Sequence, residues 1–521
     1  MENLSTRKML MVCSVLVILE LICILIGACV TPKPTKLRQQ EAINCVDEGK
    51  EQWLLPGKCR EIELKNHETT DNQGNEVKPE QVVFSVKIPG NGMKMSRYFQ
   101  FMLTLVNLRT RYHEQLAITL DSKIKMDIRV AYSNDPNSQV SPKAWKELYA
   151  AVETRSLDCT FDKDHDLSSV EDKQDYEYDC EPFHFLQFGS VPHNYYLINV
   201  RLTPDGNEKI GMPTCFEFIT ITQNGGFTKI WLSLKCVLFF LMFFPVVWYY
   251  NRIQQLERSP SLVEKVILVV AISIQILNLP LEFVTILCDA SWMLLVSDIR
   301  QGLVYVVLLC FWLIFVGEHL MDQANRNKLS AYKYHMSVIT VATLAMLSFE
   351  LAERGMQIIN PSATIWTNNT MAYSLLVISA VGATCYLLML LYLIFRAVKS
   401  INYKRRFSLP VERRKRLERI VKRFYTLLFF TFLTALLTIV FFFLQHALGR
   451  MAEEWFGTHF EADSGFFTGV YGLWNIYVAV VLWLYSPSHK IYEDENDMMQ
   501  EDFMTEQIQL MSLTQEKNND D

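Results

Sequence analysis

Charged residues are scarce in this chain of 521 residues, because Asp, Glu, Lys and Arg together make up only 20% of it. A typical soluble protein carries about 25%. The spacing motifs of zinc sites, P-loops, nucleophile elbows and HExxH metalloproteases do not occur in the sequence. We therefore expect a membrane protein that is not an enzyme, that needs no metal or cofactor, and that has no nucleic-acid partner.

Eight apolar runs are each long enough to cross a bilayer, whose hydrocarbon core needs roughly 20 helical residues. Runs of this length and hydrophobicity predict helices, since a helix satisfies its own backbone polar groups in lipid. The predicted fold is therefore a membrane α-helical bundle of eight transmembrane helices. The runs cover residues 9–30, 230–249, 266–287, 299–321, 334–359, 373–395, 424–448 and 466–484.

The segregation of charge predicts the topology. A strongly basic loop at 396–423 indicates the cytoplasmic face, because basic residues accumulate in short cytoplasmic loops. Both termini are then cytoplasmic, and the large polar block at 31–229 faces the lumen or the exterior.

An alternative makes residues 1–29 a cleaved signal peptide, but the first apolar run is longer than is usual for a signal peptide. The predicted segments are a cytoplasmic N-terminus at 1–8, an anchor helix at 9–30, a lumenal domain at 31–229, a seven-helix bundle at 230–486 and an acidic cytoplasmic tail at 487–521.

Five cysteines lie in the lumenal block, where disulfides persist. We predict the pairs Cys45–Cys59 and Cys159–Cys180, because each pair is close in sequence. Four cysteines nevertheless allow three connectivities. Cys215 is left over, and it is either a buried free thiol or a partner in a different pairing.

Alternation of apolar and polar residues predicts half-buried strands in the lumenal block. The segments are 82–88, 99–108, 123–132, 195–202 and 216–222. Residues 145–153, by contrast, have a helical composition. Several short strands with polar turns indicate one antiparallel β-sandwich or partial barrel inserted between the first two helices.

Several ionisable residues fall inside the predicted helices, where charges are costly and usually functional. Pro280 is expected to bend the third helix. Glu350 and Arg354 are one helical turn apart and can pair. Four of these residues lie at similar depth and predict a polar collar around the mouth of a cavity: Glu282, Asp298, Arg300 and Glu350. Four others are expected to be structural: Lys229, Lys235, Glu318 and His319.

Several strings in the chain resemble the Wntless family. They include QNGGFTK at 223–229, WMLLVSDIRQG at 292–302, FWLIFVGEHLMDQ at 311–323, ERGMQ at 353–357, FFTGVYGLWNIY at 466–477 and YSPSHK at 485–490. The lumenal block agrees, with VVFSVKIP at 82–89 and FQFML at 99–103. The resemblance runs in order through residues 3–490.

The resemblance implies a receptor-like arrangement of the last seven helices and a carrier function. Wntless proteins take acylated, palmitoleoylated Wnt from the endoplasmic reticulum through the Golgi to the plasma membrane. The acyl chain enters the helix bundle, and membrane lipids surround the outside of that bundle. From helical position and depth, we expect the cavity that holds the acyl chain to be lined by Phe239, Phe240, Phe283, Phe311, Phe315 and Tyr471. Arg354 is expected to lie near the collar.

The resemblance also implies recycling through endosomes with retromer and clathrin adaptors. Family members carry a Tyr-Glu-Gly-Leu endocytosis motif, but the aligned stretch at 417–420 reads LERI and lacks the tyrosine. We expect Glu506, Leu510 and Met511 in the tail to replace that signal. Asn368, in the sequon at 368–370, is a candidate glycosylation site.

Two other functions compete with the carrier hypothesis. The alternative is a seven-helix signalling receptor for an extracellular ligand, which would share the helix count. However, no Asp/Glu-Arg-Tyr ends a cytoplasmic helix, and the last helix lacks Asn-Pro-x-x-Tyr. A transporter is also conceivable, but no internal repeat of the kind that transporters carry is visible.

Overall fold

The computed structural model contains a β-sandwich and a bundle of apolar helices. It describes residues 6–49, 52–62, 81–90, 93–112, 116–119, 122–135, 142–160, 177–203, 206–207, 209–320, 327–406, 421, 424–440 and 462–487. The helices are α1 (Thr6–Leu25), α2 (Gly225–Gln254), α3 (Leu262–Asn278), α4 (Phe283–Leu287), α5 (Met293–Leu320), α6 (Lys333–Ile359), α7 (Asn369–Arg406), α8 (Phe424–Val440) and α9 (Ala462–Leu484).

Six helical segments among the described residues are long and apolar enough to cross a membrane. They correspond to α2, α3 with α4, α5, α6, α7 and α9. Two shorter apolar helices, Ser14–Val30 and Phe424–Val440, fall at the first and seventh predicted runs. The far part of the seventh run, from residue 441, lies outside the described residues. The multi-span bundle predicted from hydropathy is therefore present.

The third predicted helix is broken rather than bent. Helix α3 ends at Asn278, and the short helix α4 begins at Phe283. Pro280 lies in the break, and it cannot donate the backbone hydrogen bond that a continuous helix needs. The predicted span over 266–287 is present, but it is interrupted, because the backbone becomes extended at Leu279 and regains helical geometry at Glu282.

The β-sandwich consists of two antiparallel sheets. The strands are β1 (Thr35–Glu41), β2 (Ile43–Val46), β3 (Val82–Ile88), β4 (Met102–Arg111), β5 (Lys123–Ser133), β6 (Lys146–Ser156), β7 (Cys159–Thr160), β8 (Glu177–Cys180), β9 (Phe183–Phe188), β10 (Tyr195–Leu202) and β11 (Met212–Gln223). One sheet has the order β1-β11-β4-β8-β7, with β9 also paired to β4, and the other has the order β2-β3-β10-β5-β6.

Alternation in sequence identified the strands whose inner faces form the core. Ile124, Met126, Ile128 and Val130 of β5 are fully buried, and Phe216 and Phe218 of β11 meet them from the opposite sheet. Burial of these side chains is the main stabilising term of the sandwich.

The helix expected at 145–153 was wrong, because β6 occupies this segment. Its Lys, Glu, Leu and Ala residues favour helix locally. In the structure, however, its backbone pairs with β5 from Lys146↔Tyr132 to Ser156↔Lys123. Tertiary pairing along the edge of the sheet overrides the local preference.

Both predicted disulfides are present. Cys45 is bonded to Cys59, and Cys159 to Cys180. The second bond joins β7 to β8, which are paired at these two residues. Cys215 is a half-buried free thiol on β11, and burial raises its pKa. The pairing by sequence proximity is therefore confirmed.

Helix α1 packs against α9, the last of the described helices, through small residues. A side chain at Gly472 would come within 2.8 Å of the Cys23 sulfur, and one at Gly469 within 2.8 Å of Ile24. The Glu20 carboxylate lies over the same surface, 3.3 Å from where a Cβ of Gly472 would be. Small residues at such crossings let two helix backbones approach closely in lipid.

Candidate functional site

The break after α3 creates a buried site for charge at the sandwich end of the bundle. Because the helix stops there, its last carbonyls have no intrahelical donors. Arg300 of α5 donates to the carbonyl oxygen of Leu279, the residue that follows α3, at 2.7 Å. It also approaches the Ile276 oxygen at 3.5 Å. The broken helix therefore holds the guanidinium group of Arg300 in place.

Three charged side chains meet beside this break, and we call them the buried triad: Lys235, Glu282 and Arg300. One oxygen of Glu282 accepts from Lys235 at 2.5 Å and from Arg300 at 2.7 Å. The side chains are only 5%, 13% and 6% exposed, respectively. Ions at this depth persist only when they are paired, since desolvation is expensive.

Lys235, which the sequence predicted to be structural, forms an ion pair that joins α2 to the break after α3. Its partner is Glu282. No local pattern in the sequence signals this pair, because its two members lie 47 residues apart on separate elements. Trp231 also lies 5.5 Å from the Lys235 ammonium, a cation–π distance.

A polar chain ties α3 to α9 next to the buried triad. Tyr471 donates to the side-chain oxygen of Asn278 at 2.7 Å, and Asn278 donates to Asn475 at 2.6 Å. Both asparagines are buried. The ring of Tyr471 also lies 4.8 Å from that of Trp231 on α2. These contacts hold α2, α3 and α9 together around the triad.

The remaining members of the predicted collar form a second ion group between α5 and α6. Arg354 lies 3.3 Å from Asp298 and 3.9 Å from Glu350. The predicted pairing of Glu350 with Arg354 across one helical turn is therefore present. Asp298 and Arg300 point to different helices, so the structure divides the collar into two groups rather than one ring.

The six aromatic residues expected to line an acyl cavity do not share one surface. Phe311 and Phe315 are fully buried in an aromatic core with Trp312, whereas Phe240 and Phe283 are exposed. Phe239 is half-buried, with its ring 5.5 Å from that of Phe240. Tyr471 belongs to the polar chain described above.

The sandwich docks onto the bundle beside these ion groups. Arg97 donates to the Ile286 and Leu287 carbonyls at the end of α4, at 3.2 and 2.6 Å. Thr285 donates to Gln100 at 2.9 Å. The broken helix therefore contacts the sandwich on one side and Arg300 on the other.

A second docking contact joins the edge strand β6 to the loop between α6 and α7. Arg155 donates to the Ser362 carbonyl. Ser362 and Asn360 in turn donate to Glu153, at 2.7 and 3.1 Å. The Tyr149 hydroxyl also donates a hydrogen bond to the side-chain oxygen of Asn360 and shares one with the Ser362 hydroxyl. We call this contact the loop clasp.

Two titratable groups at the clasp have lowered pKa values. Burial and, to a lesser extent, the positive charge of Arg155 together lower the pKa of His184 to about 4. For Glu153, burial raises the pKa, but the hydrogen bonds from Ser362, Asn360 and Arg155 outweigh it and lower the pKa overall. The clasp therefore favours an ionised Glu153 and a neutral His184.

The other predicted sites lie at or beyond the limits of the described residues. Asn368 ends a short 3-10 helix, Ile365–Asn368, and its side chain is not described. The sorting candidates Glu506, Leu510 and Met511 lie outside the described residues. Within the described part of the chain, no group of three or more His, Cys, Asp or Glu residues is placed to bind a metal ion.

Comparison with known proteins explains this two-part architecture. The chain matches the family model "Wntless, GOLD domain" over residues 43–223, and "Wntless-like, transmembrane domain" over residues 224–489. The chain belongs to the Wntless family. The boundary between the two Wntless models falls where β11 ends at Gln223 and α2 begins at Gly225.

Wntless relatives match nearly the whole chain. The "Protein wntless homolog" of Gallus gallus is 35% identical over 511 residues, which cover 95% of this chain and 92% of the relative. The Homo sapiens homolog is 34% identical over 517 residues with the same coverage. The Caenorhabditis elegans homolog is 34% identical over 530 residues, covering 95% and 94%. The family resemblance inferred from sequence is therefore confirmed.

Proposed function

We propose that this multi-span membrane protein acts in Wnt secretion as a carrier of acylated Wnt. The observation that supports this role most strongly is the docking of the sandwich directly over the charged end of the bundle. A lipidated secreted protein needs a surface for its folded part and a shelter for its acyl chain. Each buried CH₂ of that chain contributes about 0.8 kcal/mol. The sandwich and the bundle offer these two environments side by side.

The ion groups lie at the junction of the sandwich and the bundle, where they are placed to contact the polar ester group that links the acyl chain to Wnt. We propose that the Asp298–Arg354–Glu350 group lies at the mouth of the acyl site, and that the buried triad fixes the helix break beside it. Membrane lipids would surround the remaining apolar faces. Nothing in this role requires catalysis.

The proposed route follows the family and the charge pattern of the chain. The carrier would receive palmitoleoylated Wnt in the endoplasmic reticulum and pass through the Golgi to the plasma membrane, with both termini cytoplasmic. Return through endosomes would use clathrin adaptors and retromer, with Glu506, Leu510 and Met511 as the signal. Truncation after Tyr492 should then raise the amount of protein at the cell surface, and unchanged uptake would eliminate this signal.

Co-precipitation tests the central proposal. Acylated Wnt should co-precipitate with the full chain, whereas Wnt with its acylated Ser changed to Ala should not. Equal capture of both forms would mean that the sandwich alone binds Wnt and that no acyl site exists in the bundle. A signalling receptor, the alternative function, would bind secreted Wnt at the cell surface without being needed for its export.

A further inference from the structure

Two exposed lysines from different elements meet at one short turn of the sandwich. The ammonium group of Lys36 on β1 lies 6.0 Å from the centre of the Phe99 ring, and that of Lys229 on α2 lies 4.9 Å from the centre of the Tyr98 ring. Tyr98 and Phe99 are neighbours in the short 3-10 helix Arg97–Phe99. Both distances are typical of cation–π contacts, so this turn holds the two lysines close to each other.

The same turn lies at the membrane boundary that hydropathy predicts. It packs on the first residue of α2, since a Cβ at Gly225 would lie 3.2 Å from the Cβ of Tyr98. Thr228 also donates to the Tyr98 carbonyl at 2.7 Å. Lys229 directly precedes the apolar run at 230–249. Because lipid headgroups add roughly 5–8 Å on each side of the hydrocarbon core, the turn and its lysines lie at headgroup depth.

The positive charge around this turn has no acidic counterpart in the part of the chain that the structure describes. Lys36 and Lys229 form no ion pair there, and neither do two further cations, Arg38 and Lys94. Arg38 shares a face of β1 with Lys36 and donates to the sulfur of Met93 at 2.9 Å, next to Lys94. We call these four cations the interfacial patch. Basic residues normally accumulate on the cytoplasmic side of a membrane, which is opposite to the side predicted for the sandwich.

Exposed apolar side chains accompany the interfacial patch. Met93, beside Lys94, is 49% exposed, and Val30, where the first apolar run ends, is 66% exposed. Cations next to exposed apolar groups suit the boundary between headgroups and acyl chains, where each group finds its preferred surroundings.

We propose that the interfacial patch binds the headgroup phosphate of an anionic phospholipid in the adjoining leaflet, with the acyl chains of that lipid outside the bundle. Lysine suits this role because its ammonium group is a compact charge with three donors. Each basic residue near an anionic membrane surface adds to the attraction. The lipid ties the sandwich to the bilayer as well as to the bundle, and this inference does not rest on the carrier function.

Lipid binding to the purified full chain in detergent tests this proposal. Native mass spectrometry counts the bound lipid in titrations with dioctanoyl phosphatidylserine and with dioctanoyl phosphatidylcholine, whose headgroup has no net charge. The wild type should prefer phosphatidylserine. Lys36→Gln combined with Lys229→Gln should bind phosphatidylserine at least tenfold more weakly, because two cations are lost, and should bind phosphatidylcholine as the wild type does. Lys36→Arg combined with Lys229→Arg keeps the charge and should keep the affinity.

The matched control is Lys123→Gln combined with Lys209→Gln, which removes two exposed lysines elsewhere on the sandwich. Lys209 precedes β11, whose other end leads into α2, so it lies far from the patch. This control should keep the wild-type affinity, and all variants should keep the wild-type melting temperature. Unchanged phosphatidylserine binding in the patch variant, or an equal loss in the control, would overturn the proposal. Displacement of the lipid by an equal concentration of inorganic phosphate would mean that the patch binds free phosphate, which would overturn its assignment to a lipid.

Discussion

Replacing Arg155 by Met should detach the loop clasp. The side chain of Arg155 is only 8% exposed, and it donates to the Ser362 carbonyl and, at 3.2 Å, to the His184 carbonyl. It also pairs with Glu153 at 3.0 Å. Methionine keeps most of the apolar stem but has no donors. The change therefore leaves two carbonyls and a carboxylate without their cation at a buried junction.

The size of the effect follows from these contacts. A hydrogen bond to a charged group contributes about 1.5–3 kcal/mol, and its loss at a buried site falls in the same range. Every 1.4 kcal/mol changes an equilibrium tenfold. The open form of the clasp should therefore become roughly 10- to 100-fold more populated than in the wild type.

Hydrogen exchange read by mass spectrometry measures this opening directly, on peptides that cover residues 360–365. Backbone amides there should exchange faster by the same factor in Arg155→Met. The control is Arg129→Met on the neighbouring strand β5, because Arg129 is about half exposed and pairs with Asp127 rather than with the bundle. Unchanged exchange at 360–365 would refute the role of Arg155. An equal increase throughout the sandwich would instead mean general destabilisation.

Three further changes test other features of the fold. Since folding lowers the pKa of His184 from 6.5 to about 4, the unfolded chain binds the proton first, and stability should fall as the pH drops from 6.5 towards 4. His184→Gln should flatten this slope in melting curves, and an unchanged slope would assign it to other groups. Cys159→Ser opens the loop to Cys180 and should cost about 3 kcal/mol, so that the protein is retained early in secretion; normal export would contradict this. Gly472→Leu should lower the melting temperature by displacing the anchor helix, whereas Gly355→Leu, where a Cβ meets nothing within 4 Å, should not.

Local sequence patterns predicted the core strands and the apolar helices. Alternation placed β3 and β10 at their observed bounds, 82–88 and 195–202, although both strands are buried on both faces rather than on one. The apolar runs identified the helices because lipid requires long apolar segments. The edge strand β6 was missed because its residues favour helix, and only the neighbouring β5 makes it a strand.

The candidate site was only partly predictable, because it depends on contacts between distant parts of the chain. The pair Glu350–Arg354 was accessible from sequence, since one helical turn separates the two residues. The contact of Lys235 with Glu282 and that of Arg155 with Ser362 were not, because each joins separate elements. Pro280 signalled a distortion, but not that the freed carbonyls would bind Arg300.

The packing of the anchor on the last helix has a consequence for the order of assembly during synthesis. Strand β1 pairs with β11 from Thr35↔Gln223 onward, so the sandwich can close as soon as residue 223 has left the ribosome. The membrane part cannot, because α1 packs mainly against α9, which follows all the other described helices in the chain. Until α9 is inserted, the Glu20 carboxylate has no glycine surface to cover it and faces the lipid. A prematurely ended chain would thus display an uncovered polar carboxyl group on its first helix, a feature that distinguishes it from the finished protein.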